Sequence, residues 1–187
     1  MDEIVINTAT NSFINKSEFK CSGYGLYDLL KDKGTAVGLE IGCDIGDTSY
    51  FLLSKLNNLS LYSIDPYIDY IDWNGNNLSS REQMYQDVLA RMGQFSDRFN
   101  LIRKISDDAV GEFEEESLDF IFIDGLHTYE QLSKDCKNYY SKVKTGGIFA
   151  GHDFNVIPGV NKAANEFAKV CGKEIFTTEC DVWYWVK

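Results

Sequence analysis

Short apolar runs alternate along this chain with longer segments of mixed character. Positions 36–41, 59–64, 99–103, 118–123 and 147–150 read as strands, and 174–178 and 182–186 lie close enough to pair as a closing hairpin. The clearest run is LDFIFI at 118–123. Between the strands, 47–56, 79–95, 129–143 and 160–170 read as helices. In 79–95, Met84, Val88, Leu89 and Met92 recur at helical spacing. Ser79 and Glu82 have the spacing of a capping box at its start. Strands alternating with helices predict an α/β fold, a doubly wound and mostly parallel seven-stranded sheet with an antiparallel C-terminal hairpin. Its crossovers are expected to be right-handed. Such sheets bind ligands at the carboxyl ends of their strands, near the topological switch point. The residues that follow each strand are therefore the ones to read for chemistry.

Composition narrows the classes. The 187 residues suit a single domain. Hydrophobic residues make up 44% and charged residues 25%, the balance of a globular protein. With 18 Lys and Arg against 29 Asp and Glu, the formal net charge is −11, which argues against a nucleic-acid partner. No run approaches the ~18 uninterrupted apolar residues of a membrane span, and the MDEI start lacks the basic region of a signal peptide. The expectation is a cytoplasmic protein with no membrane partner. Assembly into a homo-oligomer stays open. Cys21, Cys43, Cys136, Cys171 and Cys180 form no CxxC pair and read as reduced, partly buried thiols.

After the first strand comes EIGCDIGDT, in which Gly42 and Gly46 allow a tight turn and a close approach to a ligand. The glycine spacing is not that of a dinucleotide fold. Glu40 at the strand end would repel a pyrophosphate and suits a cationic or amino-bearing ligand. Asp65 follows the second strand, ~20 residues past the glycine loop, the spacing of an acid that accepts ribose hydroxyls. An Asp-Pro turn explains it equally well. Ser106 follows the third strand, where a polar residue can border an adenine or cap the next helix. Asp124 follows the fourth strand, with His127 close behind. Imidazole is the natural general base near neutral pH. The only other histidine, His152, precedes Asp153 after the fifth strand. Adjacent fourth and fifth strands would bring Asp124 and Asp153 together, and two such carboxylates repel unless a cation separates them or one is protonated. Mg²⁺ would serve, with its preference for oxygen ligands.

Together, GLEIGCDIGDTS, YSIDPY, the Ser106 segment and DFIFIDGLHTYEQLSKDC followed by KTGGIFAGHDF resemble the Rossmann-like class I S-adenosylmethionine-dependent methyltransferases. The resemblance spans 36–187, leaving 1–35 as an N-terminal cap or lid of the same single domain. Within the class the chain is most similar to the metal-dependent macrocin and mycinamicin-type O-methyltransferases, which methylate sugar hydroxyls. This resemblance implies that Glu40, Gly42, Gly46 and Thr48 frame the methionine part of S-adenosylmethionine. It implies Asp65 for the ribose, Ser106 for the adenine, and Asp124 at the cofactor and the metal alike. Asp153 joins Asp124 as a Mg²⁺ ligand, with His152 as a further candidate, and His127 becomes the general base. The macrolide enzymes carry two acids where this chain reads His152-Asp153. Catechol-type enzymes carry an Asn where Phe154 stands.

The implied acceptor is a hydroxylated small molecule, a sugar by the family's habit. Residues 67–78 (YIDYIDWNGNNL) mix aromatic rings with amides and acids, which suits a sugar and equally suits an ordinary surface loop. Tyr24 and Tyr27 are candidates for a lid or for a helix packed on the sheet. Trp183 and Trp185, alternating in the last strand, read as core. A catechol-like methyltransferase is the second enzyme reading, and a non-catalytic cofactor-binding module the alternative of another class. The segment after the fourth strand lacks the Pro-Pro-Tyr type of amino-methylating DNA enzymes.

Overall fold

In the computed structural model the LDFIFI run becomes the middle strand of a seven-stranded sheet. Residues 22–71, 75 and 77–187 are described, together with the antiparallel strand pair Val5–Ile6 and Phe13–Ile14. Cys21 and Trp73 lie outside the described residues. The sheet strands are β1 (Ala36–Ile41), β2 (Leu59–Ile64), β3 (Phe99–Ile102), β4 (Leu118–Ile123), β5 (Val143–Gly151), β6 (Phe176–Thr177) and β7 (Trp183–Val186). Their order across the sheet is β3-β2-β1-β4-β5-β7-β6. β1 to β5 run parallel, and β7 is antiparallel to both of its neighbours. The order reverses between β1 and β4, so the switch-point crevice opens where Ile41 and Ile123 end.

Among the described residues six helices cover the two faces: α1 (Ser22–Leu30), α2 (Asp47–Lys55), α3 (Arg81–Met92), α4 (Ser106–Ala109), α5 (Tyr129–Tyr139) and α6 (Pro158–Cys171). Strand alternation sends β4 side chains to opposite cores. Ile121 and Ile123 pack with Leu132 and Cys136 of α5, Val160 and Ala164 of α6, and both Trp183 and Trp185. Phe120 and Phe122 face the other way, into Leu26 of α1, Leu52 and Leu53 of α2, and Val88 and Met92 of α3. The tryptophans are core, as their alternation implied. The thiols of Cys43, Cys136 and Cys171 are free, the first two buried. Among the described residues no helix is long and apolar enough to cross a membrane.

Two local expectations are corrected. The Ser79–Glu82 capping box does not form. α3 begins two residues later, its N-cap Ser80 is left-handed at φ 64° with no side-chain cap, and the Arg81 amide donates instead to Asp69 Oδ1 at 3.3 Å. A carboxylate from the preceding loop thus does the capping, and Glu82 turns outward to accept from Arg103. Helix α5 stops at Tyr139, and β5 starts at Val143 rather than at 147. Gly146, at φ 82°, lets the strand pass a register shift against β4. The segment before β1 contains α1, whose Tyr24 and Tyr27 rings pack on Phe51 of α2 at 4.5 and 6.2 Å. Those two tyrosines serve helix packing and do not border the cavity described next.

Candidate active site

A cavity of about 620 Å³ lies over the carboxyl ends of β1, β2, β3 and β4. Glu40, Gly42, Thr48, Asp65, Ser106, Asp124 and His127 all border it. Gly46, His152 and Asp153 do not. Gly46 is buried at φ 77° and provides the left-handed residue that starts α2. Thr48 shares a 2.8 Å hydrogen bond with Ser22 of α1. Gly42 sits at φ 96°, and a Cβ there would lie 2.1 Å from the Asp124 carbonyl oxygen. Its glycine is therefore required by the close approach of β4 as well as by any ligand.

Below this loop Glu40 is buried, 3% exposed. Its Oε2 accepts from Ser63 Oγ at 2.8 Å and from Ser49 Oγ, and the two serines contact each other at 2.7 Å. No cation pairs with it among the described residues. Burial, against the two serine hydrogen bonds, pushes its pKa up to about 8, and the charges of Asp124 and Asp65 add to the rise.

At the end of β2, Asp65 Oδ1 accepts from the Tyr67 amide at 2.9 Å and Oδ2 from the Asp44 amide at 3.0 Å. Arg81 Nη2 reaches both oxygens, at 3.3 and 3.4 Å. No motif in the sequence marks Arg81, which comes to the site from the first turn of α3. Ser106, at the start of α4, donates to Asp135 Oδ1 at 2.6 Å and accepts from Gln131 Nε2 at 3.2 Å. Asp135 and Gln131, one turn apart on α5, are site residues that strand-end reasoning misses, because a helix side delivers them. Burial raises the Asp135 pKa to about 6, opposed by the Ser106 and Gln131 hydrogen bonds.

The ends of β4 and β5 carry two carboxylates and two imidazoles. His127 Nε2 lies 3.1 Å from Asp124 Oδ1 and 3.0 Å from Asp153 Oδ2. His152 Nδ1 lies 3.2 Å from Asp153 Oδ1 and 3.7 Å from Asp124 Oδ1, while its Nε2 donates to the Cys180 carbonyl at 3.1 Å. Burial opposes the charged form of both imidazoles, but hydrogen bonds and charges from the two aspartates win. The His127 pKa is raised, and that of His152 is raised to about 9. Burial would raise the Asp153 carboxyl, yet the His152 hydrogen bond and the two imidazoles hold it below its usual range.

These residues fit a divalent cation. Asp124, His152 and Asp153 each offer a ligand atom, all within 4.8 Å of one another. The Cys180 carbonyl takes the Nε2 proton of a neutral His152 and turns the Nδ1 lone pair toward the two carboxylates, the arrangement that orients metal-binding histidines.

This strand order, with its antiparallel seventh strand and its crevice over β1 and β4, is the fold of the class I S-adenosylmethionine-dependent methyltransferases. The chain belongs to the methyltransferase domain family, whose model matches residues 39–154. It carries an S-adenosylmethionine-dependent methyltransferase domain. Among solved structures it is similar to the O-methyltransferase NovP, at 15% identity and a TM-score of 0.68 over 98% of this chain and 87% of that one. A putative caffeoyl-CoA O-methyltransferase from Staphylococcus aureus matches at 16% identity and a TM-score of 0.63, over 94% and 85%. A precorrin 8w decarboxylase from Methanobacterium thermoautotrophicum matches at 11% and 0.63, over 98% and 96%. At these identities the likeness speaks to the fold alone. A curated relative, the uncharacterized protein y4gI of Sinorhizobium fredii, is 29% identical over 75 residues, 40% of this chain. The match spans only 8% of that relative's length.

Proposed function

We propose that this protein transfers the methyl group of S-adenosylmethionine to a hydroxyl of a sugar or similar polyhydroxylated small molecule. The observation that carries the reading is the cluster of Asp124, His127, His152 and Asp153, whose first two members border a cavity also lined by Glu40, Asp65 and Ser106. In this reading the cofactor's ribose meets Asp65 and its adenine lies toward Ser106. The glycine loop and Glu40 face the methionine part, which carries positive charge. The transfer is an in-line displacement: the carbon–sulfur bond of the sulfonium breaks, leaving a thioether, as the carbon–oxygen bond forms. Its rate rests on positioning. The hydroxyl proton leaves to Nε2 of neutral His127. Asp124 and Asp153, flanking that nitrogen, stabilise the imidazolium so formed.

Asp124, Asp153 and His152 would hold a divalent metal, Mg²⁺ by virtue of the two carboxylates, with the imidazole suiting other first-row ions as well. When bound, such an ion supplies Lewis acidity that lowers the pKa of an alcohol. The O-methyltransferases among the structural neighbours support oxygen as the acceptor atom. A second reading, a catechol-like acceptor, draws support from exposed apolar side chains bordering the cavity: Ile45, Ile68, Ile105 and Leu126. Flat aromatic rings would suit that rim.

Calorimetric titration with S-adenosylmethionine, with and without Mg²⁺, tests the proposal on wild type and Asp124→Ala. Micromolar binding, about −8 kcal/mol, with metal binding lost in Asp124→Ala, is the expected result. Methyl transfer to sugars, set against catechols, then separates the two acceptor classes. Absence of cofactor binding in either condition overturns the reading.

A further inference from the structure

Arg81 has no part in the reaction just described, yet its side chain is only 5% exposed. The guanidinium lies against the rings of Tyr67 and Tyr70, at 5.4 and 5.7 Å from their centroids. Nη1 donates to Asp44 Oδ1 at 2.6 Å. The Nη2 contacts to Asp65, at 3.3 and 3.4 Å, are long beside the ~2.7–2.9 Å of a charge-assisted hydrogen bond. Nε is enclosed by protein and has no partner among the described residues. Arg81 and Asp65 both border the cavity. The strong Asp44 bond anchors one end of the fork, and the weakly used Nη2 remains beside the carboxylate.

We propose that Arg81 is the donating half of a vicinal-diol reader whose accepting half is Asp65. A carboxylate can recognise only the protons of a hydroxyl, whereas a hydroxyl oxygen also carries two lone pairs. Asp65 accepts the hydroxyl protons of the ribose, and Nη2 of Arg81, held only loosely by Asp65, donates to a hydroxyl oxygen. The pair therefore reads a hydroxyl by both of its functions and rejects a position that bears hydrogen in its place. This inference rests on the ribose placement proposed above.

The test is a cycle of protein and ligand changes read by calorimetry. Wild type, Arg81→Met and Arg81→Lys are titrated with S-adenosylhomocysteine and with its 2′-deoxy and 3′-deoxy forms. In wild type, loss of a hydroxyl is expected to weaken binding by a factor of about ten or more, the size of one charge-assisted hydrogen bond. In Arg81→Met the parent ligand binds correspondingly more weakly, and the deoxy penalty shrinks to less than about threefold. Arg81→Lys keeps the charge but lacks the planar fork that, anchored on Asp44, sets Nη2 beside Asp65, so its penalty is reduced too, and it carries the cycle should Arg81→Met fail to fold. A full deoxy penalty in the variants makes Arg81 merely structural and overturns the proposal, while the ribose placement stands. If wild type itself ignores the missing hydroxyls, the placement at Asp65 falls and the proposal falls with it.

Discussion

Two acid-bearing regions meet at Gly42 and are handled in opposite ways. Beneath the glycine loop, Glu40 is enclosed with two serine hydroxyls, and burial lifts its carboxyl to about 8. At the ends of β4 and β5, Asp124 and Asp153 keep 21% of their side chains exposed and have imidazoles for neighbours, and Asp153 titrates below its usual range. The residue type is nearly the same in both places. Hydroxyls can stabilise a carboxylate but bring no charge, so desolvation decides the outcome at Glu40. Imidazoles bring charge, so Coulomb attraction decides it at Asp153. The first region is uncharged near neutrality and can meet a positively charged ligand without first breaking an ion pair. The second holds a proton between paired bases, the equipment for moving one.

The largest expected effect joins the two regions. In Gly42→Ala the new Cβ would lie 2.1 Å from the Asp124 carbonyl oxygen and 2.5 Å from its carbon, at a φ of 96° that alanine adopts poorly. Backbone cannot swing aside as a side-chain tip can, so β1 and β4 must part where the site is built. Urea unfolding is expected to show a loss of about 3–5 kcal/mol, with cofactor binding lost as well. A loss under about 1 kcal/mol would mean that the regions are not held in register by this contact.

Next in size is His127→Gln, which should reduce methyl transfer by about 10²–10⁴ and leave the cofactor's dissociation constant within a few-fold. The corresponding change at the other region, Glu40→Gln, should act on binding and not on the proton-transfer step. The pH profile sharpens the contrast. His127 accepts a proton only when neutral, and Asp124 and Asp153 raise its pKa from the ordinary 6.5 despite burial. The rising limb of the wild-type rate is therefore expected above pH 6.5 and absent in the variant. Equal losses of binding and rate in His127→Gln would remove the division of labour between the regions.

Most of this architecture was legible because periodicity and strand-end chemistry are local. LDFIFI can only be a strand buried on both faces, and an acid directly after such a strand has nowhere to point but the crevice. Asp65, Asp124 and Asp153 were found that way, with His127 and His152 beside them. Arg81, Gln131 and Asp135 were not. Each comes from a helix, and its direction depends on how that helix packs, which a single strand end does not encode. The capping box failed for a related reason. Ser79 and Glu82 had the right spacing, but Asp69, twelve residues before Arg81, took the amide that the box required. A local motif loses when a tertiary partner offers the same hydrogen bond. Gly42 reads from the sequence as a residue for a tight turn and a close approach to a ligand, and the close approach the structure shows is to the backbone that follows β4.

The last effect is a pH slope in stability, and its sign follows from which state holds the proton. The Glu40 carboxyl is raised from 4.5 to about 8 on folding. Between those values the folded state binds more protons than the unfolded one, so stability falls as pH rises through that window. His152, raised from 6.5 to about 9, has the same sign. Its contribution is fully present below 6.5 and is lost as pH rises through 9. Asp135 adds a decline of its own between 3.8 and about 6. Differences between wild type and single variants separate these overlapping slopes. Subtracting the Glu40→Gln curve cancels Asp135 and His152, and the remainder should begin near pH 4.5 and level off near pH 8. For His152→Gln the difference should begin only above pH 6.5. Thermal melts of the three proteins from pH 4.5 to 9 supply the curves. Glu40→Gln should become more stable than wild type toward pH 8, since its buried amide never ionises. If instead the Glu40→Gln curve stays parallel to wild type, Glu40 is ionised throughout, and the two regions handle their acids in the same way after all.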